Sequence, residues 1–224
     1  MTDHHHGHHD HGHDHDHLDE DGHFHGDFDE MAKTWDDDPA KVERAKVAAE
    51  RIVARVAPTT STRLLEYGAG TGLVAEALVD RVGPMTLADP SEGMRAAMAA
   101  KVEAGDLPAT AAIVDLDLGA EPRPTDRWDL ALAVQVLHHV DDLDPVLAGF
   151  AEVLEPGGRL CICDLELEDG SFHGEGFGGH HGFDRDELAA QLRAAGFADV
   201  AFEHAYDLVR DDHAYPLFLA TATR

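Results

Sequence analysis

Hydrophobic positions after residue 38 follow two alternating rhythms. Residues 39–57 place Val42, Ala45, Ala49, Ile52, Val53 and Val56 at helical spacing, which predicts an amphipathic helix ended by Pro58 and the threonine-rich stretch 59–62. Short apolar runs then alternate with helical periods. Strands are predicted at 63–67, 85–89, 110–116, 129–136 and 159–165, and helices at about 71–81, 91–104, 144–154 and 184–195. Ser91 can cap its helix with Glu92 in the first turn, and Gly196 suits the end of the last one. Strands near 198–208 and 215–223 lie too close together for a helical crossover, so they are expected to pair antiparallel. The pattern predicts an α/β fold: a doubly wound, mostly parallel seven-stranded sheet with an antiparallel last strand.

Composition adds an N-terminal appendage. Residues 4–25 hold eleven of the chain's eighteen histidines, interleaved with Asp and Gly, and carry no apolar periodicity. The expected division is a His/Asp-rich tail over 1–27 and a single domain over 28–224. His4, His5, His6, His8, His9, His11, His13, His15 and His17 are candidate ligands for a divalent metal, Zn or Ni, in a non-catalytic role. A solvated acidic tail is the competing reading. Forty-five acids against seventeen bases give a net charge of −28, a field that repels polyphosphate chains and argues against nucleic acid as a partner. The apolar runs fall short of the roughly 20 residues of a membrane span, and no signal peptide is visible. Cys161 and Cys163 share one face of a buried strand and read as core. A cytoplasmic protein is expected; its oligomeric state is not legible.

The most informative segment is Leu64 to Gly72, LLEYGAGTG. An apolar strand runs into three glycines at alternate positions and then into a helix, the arrangement of loops that cradle nucleotides at a strand's carboxyl end. A dinucleotide site wants G-x-G-x-x-G, but Leu73 stands where its last glycine belongs. The spacing here is G-x-G-x-G, preceded by Glu66.

This motif, with Asp89 ending the second strand, Asp115 ending the third, WDLALAVQVLHHVDD around the fourth and Leu154-Glu155-Pro156-Gly157-Gly158 before the fifth, resembles the class I S-adenosylmethionine-dependent methyltransferases. The resemblance covers residues 28–224. It implies S-adenosylmethionine as cofactor, a small-molecule methyl acceptor, and a lid over 28–57 that contains Trp35. It also implies a cofactor site of Glu66, Tyr67, Gly68, Ala69, Gly70, Gly72, Asp89, Pro90, Met94, Asp115, Leu116, Val134 and Gln135. In it Glu66 meets the cofactor's amino-acid end, Asp89 the ribose and Asp115 the adenine amino group.

Plainer readings stand beside these. Gly72 serves packing, Asp89 can be a turn residue before Pro90, Asp117 competes with Asp115, and Met94 is either helix core or a wall of the adenine slot. His138 and His139 follow the fourth strand. With His181, from the Gly/His-rich loop 169–183, they are candidate general bases or acceptor contacts. That loop, which also carries His173 and His180, reads equally as a lid, a metal site or solvated surface. Two other functions compete: an NAD(P)-linked oxidoreductase, and a metal-handling protein whose domain binds S-adenosylmethionine without catalysis.

Overall fold

The computed structural model describes residues 28–174, 176–210 and 212–224. The tail and its histidines lie outside the described residues. The sheet begins in its middle. Strand β1 (Leu64–Tyr67) pairs in parallel with β2 (Met85–Ala88) on one side and β4 (Trp128–Val134) on the other. β2 carries β3 (Ala112–Val114) at the edge, and β4 carries β5 (Leu154–Leu165). Beyond β5 lies β7 (His213–Thr223), antiparallel both to β5 and to the edge strand β6 (Ala198–Arg210). The order is β3-β2-β1-β4-β5-β7-β6. Strand order reverses between β1 and β4, and a crevice opens at the carboxyl ends of the strands at such a point.

Alternating side chains feed two cores. Leu64, Leu87, Leu132, Cys161 and Cys163 join Ile52 of helix α2 (Pro39–Val56), Val74 of α3 (Leu73–Ala77) and Met98 of α4 (Glu92–Ala104). Leu65, Ala131, Leu160, Ile162 and Phe218 face the other way, onto Phe150 of α5 (Leu143–Val153) and Leu192 of α6 (Arg185–Ala194). The sheet is thus covered on both faces, which is why its inner strands read as continuous apolar runs. Burial pushes the Cys161 thiol up to about 12, in keeping with a packing role.

Element boundaries depart from the sequence pattern where tertiary pairing decides them. α3 ends at Ala77, because the segment to Arg81 tightens into turns that bring the Gly83 N–H onto the Thr62 carbonyl. β5 begins at Leu154, through the Pro-Gly-Gly expected to precede it. Gly157 N–H and Gly158 O pair with the backbone of Arg224, so the chain end lends the turn its ladder. β3 contracts to three residues at the sheet edge, leaving Asp115 and Leu116 outside the ladder.

The N-terminal segment is tied across the carboxyl edge. The Asp29 carboxylate, in helix α1 (Phe28–Met31), accepts from Ser91 Oγ at 2.5 Å and Gly93 N at 2.8 Å. Asp36 accepts from Thr71 Oγ1 at 2.5 Å and pairs at 2.8 Å with Lys101, which also meets Glu76 at 2.8 Å. α2 then starts on the Asp38 side chain, which caps Ala40 N at 2.8 Å, with Pro39 at the first helical position.

Gly93 tests this strap. A Cβ there would lie 2.5 Å from the Asp29 Cα. Gly to Ala inside a helix ordinarily gains up to about 1 kcal/mol, but Gly93→Ala should instead loosen α1. Hydrogen exchange should show faster amides over 28–37 with no rise in melting temperature. Unchanged protection with a higher melting temperature would show that α1 does not depend on this contact.

Candidate functional site

A cleft of about 310 Å³ lies over the carboxyl ends of β1, β2 and β4. Its floor is the glycine loop, Glu66 to Thr71; one wall is Asp89, Pro90, Ser91 and Met94, and the other runs from Val134 to Val136 with His139 and Val140. Phe28, Trp35, Lys41 and Arg44 come from the N-terminal segment and α2, and Tyr206 from β6. The Lys41 ammonium sits 3.8 Å over the Trp35 ring, a cation–π contact that holds the indole at the cleft mouth.

The loop requires glycine where it crosses the tip of β4. Gly68 has φ +69°, and a Cβ there would lie 2.2 Å from Val136 Cγ2. The next turn is fixed by Asp89, whose Oδ2 accepts from Gly70 N at 2.7 Å and whose Oδ1 accepts from Ser91 N at 3.0 Å. Burial raises the Asp89 carboxyl above its ordinary range, opposed by those two amides. Each carboxylate oxygen retains a second lone pair. Gln135 closes the β4 end with φ +53° and donates its N–H to Cys163 O at 2.7 Å. A non-glycine residue in the left-handed region at a strand tip is stored strain of the kind that gathers at binding sites.

Glu66 is the more demanding group. Its side chain is 2% exposed, and Oε2 is buried without a hydrogen-bond partner. Burial pushes its carboxyl up to about 8, with Asp89 adding in the same direction and the Ala75 amide and Lys101 opposing.

The histidines part company. His138 is buried, its Nδ1 2.6 Å from Oδ1 of the wholly buried Asp164, which also accepts from Leu137 N at 3.0 Å and Leu165 N at 2.8 Å. His139 borders the cleft, edge-on to Phe28 with ring centres 5.6 Å apart. His173 stacks on Phe177 at 3.8 Å between centres, and burial, with the neighbouring His138, holds it down at about 4. His181 stands 3.3 Å from the Glu168 carboxylate, outside the cleft lining.

Of the residues expected at a cofactor site, Trp35, Glu66, Tyr67, Gly68, Ala69, Gly70, Asp89, Pro90, Met94, Val134 and Gln135 come together on the lining. Gly72, Asp115 and Leu116 do not. Gly72 backs onto Met98 and Leu107. Asp115, largely exposed, faces Arg95 at 3.6 Å and shares with Leu116 a separate groove behind β3. Phe28, Lys41 and Arg44, from the expected lid, also line the cleft, and Tyr206 joins them only through tertiary packing. Asp164 carried a readable signal, an acid inside an apolar strand, which demands a buried partner.

The methyltransferase-domain family matches residues 42–201. An uncharacterized methyltransferase of Geobacillus kaustophilus is 30% identical over 154 residues, 68% of this chain and 64% of that protein. The chain thus spans less than two thirds of that relative's length. The O-methyltransferase resE of Aspergillus sclerotiorum is 30% identical over 190 residues, 78% of this chain and 70% of that one. In fold, a SAM-dependent methyltransferase from Aquifex aeolicus superposes with a TM-score of 0.64 at 18% identity, over 87% of this chain and 97% of that chain.

Glu66 yields a pH prediction. Its folded value, about 8, lies above the ordinary 4.5, so the protonated form is the one the fold favours. The stability this gives is complete below about pH 4.5 and is lost as pH rises through 8. Glu66→Gln, neutral throughout, should therefore gain on the wild type between pH 5 and 9, by on the order of 4 kcal/mol. Paired denaturation curves across that range check it, and a constant difference would show that Glu66 is not held protonated.

Proposed function

Because the chain belongs to the methyltransferase-domain family, we propose that it binds S-adenosylmethionine in this cleft and transfers its methyl group to a small-molecule acceptor. The observation that carries the reading is the pair of buried carboxylates, Glu66 and Asp89, on either side of the glycine loop. The Glu66 oxygen without a partner suits the cofactor's ammonium end, and the spare lone pairs of Asp89 suit two ribose hydroxyls. Pro90 and Met94 would flank the base. Asp115 and Leu116, assigned to adenine by resemblance, would join them only by moving in from the β3 rim.

When bound, the cofactor supplies a sulfonium-activated methyl group. What remains for the protein is alignment and exclusion of water. The strap of α1 with Trp35 covers the cleft, and Gly68 and Gly70 let the backbone lie against the ligand. His139, on the lining, is the proposed base for a protonated acceptor; His138, locked to Asp164, positions it. His181 enters no step from where it stands. The relative resE, named an O-methyltransferase, supports an oxygen acceptor, and no relative named above is an oxidoreductase.

The same reading keeps 28–224 as the functional domain, with 28–57 as its lid, and the tail histidines His4–His17 as ligands for Zn or Ni away from the chemistry. No helix among the described residues is long and apolar enough to cross a membrane. A cytoplasmic setting and the absence of a nucleic-acid partner belong to the proposal.

Calorimetry tests it. S-adenosylmethionine and its demethylated product should bind, with NAD and NADP inert. Hydrogen bonds to a carboxylate are each worth about 1.5–3 kcal/mol, so Asp89→Ala should weaken binding about tenfold or more. Nicotinamide binding of comparable strength, or unchanged affinity in a folded Asp89→Ala variant, would overturn the assignment.

A further inference from the structure

Three imidazoles meet beside the cleft. His138 and His139 follow β4, and His173 comes from the 169–183 loop, 34 residues beyond His139. Ring centres are 4.2 Å apart for His138–His139, 5.1 Å for His138–His173 and 5.4 Å for His139–His173. One nitrogen from each ring lies within 4.8 Å of one from each of the others. We infer that His138, His139 and His173 form a site for one divalent transition-metal ion of the zinc class, distinct from the tail.

Two features support it beyond proximity. The first is Asp164. Its carboxylate, wholly buried and anchored by two backbone amides, takes the Nδ1 side of His138 at 2.6 Å. That fixes the hydrogen on Nδ1 and leaves Nε2 as the lone pair, which is the carboxylate–histidine arrangement that orients metal ligands. The second is reach. Zinc–nitrogen bonds of about 2.0–2.1 Å set tetrahedral ligand nitrogens about 3.3 Å apart, so the rings need close by no more than about 1.5 Å. His173 can supply that movement, since it lies on a loop with Gly174 and Gly176 at positive φ. An all-imidazole set suits Zn, Ni, Cu or Fe and not Mg or Ca. Because His139 also borders the cleft, the ion's remaining position is on the acceptor side. The chemistry it would supply there, in place of the base role of a metal-free His139, is to lower the pKa of an acceptor hydroxyl. That consequence rests on the methyl-transfer reading; the site itself does not.

The test must silence the tail. In a full-length chain with the eleven histidines of residues 4–25 replaced by serine, Co(II) serves as probe. Four-coordinate Co(II) absorbs visible light far more strongly than the six-coordinate aqueous ion. One equivalent should develop that absorption, and Zn should displace it while Mg leaves it unchanged. His173→Ala and His139→Ala should each weaken Co(II) binding at least about tenfold, and the surface variant His204→Ala should leave it unchanged. Melting curves confirm that each variant is folded. No absorption in the tail-substituted chain, or binding that survives both cluster substitutions, would overturn the site. Calorimetry with S-adenosylmethionine on the same tail-substituted chain separates the two claims, since cofactor binding without metal binding defeats only this one.

Discussion

The structure turns on keeping two carboxylates out of water at the tips of adjacent parallel strands. Glu66 stands one residue before the end of β1, nearly inaccessible, and Asp89 follows β2 with 7% exposure. Burying a carboxylate without compensation is expensive. Asp89 is compensated by the Gly70 and Ser91 amides, and that contact shapes the glycine loop. Glu66 is compensated mainly by giving up its charge. On the proposed reading, the under-satisfied acid meets a ligand's ammonium and the spare lone pairs of Asp89 meet its vicinal hydroxyls.

The rest of the fold serves that arrangement. The strand-order reversal between β1 and β4 opens the crevice, and the two apolar cores hold its walls rigid from both sides of the sheet. The N-terminal strap is bolted to the same walls: Asp29 joins the start of α4 just beyond Asp89, and Asp36 joins Thr71 in the glycine loop. A cover tied to both carboxylate-bearing loops is placed to respond to what occupies them. His139, on the cleft lining, packs in turn against His173 and Phe177.

Much of this was legible in the chain. Strand–helix alternation and the absence of a crossover between the last strands foretold the sheet, because buried parallel strands leave long apolar runs and a short connection forces an antiparallel pair. The glycine loop and Asp89 were legible for the same local reason, since each needs a particular residue at a strand's end. Element ends were less so. The Gly157–Gly158 turn enters the sheet only because Arg224 lies alongside it, a pairing with no local trace. Asp115 read as a site residue by position but stands at the rim, because β3 is a short edge strand that releases its last residues. Tyr206 reaches the cleft from a distant strand, and nothing near it in sequence marks the role.

The central claim is that Glu66 and Asp89 together clamp one ligand. A crystal structure of the full chain with S-adenosylhomocysteine tests it most directly. The account predicts the ribose hydroxyls within hydrogen-bond distance, about 2.5–3.0 Å, of both Asp89 carboxylate oxygens, and the amino group beside Glu66 Oε2. A ligand seated elsewhere, or in this cleft with Glu66 Oε2 still without a partner, would contradict it.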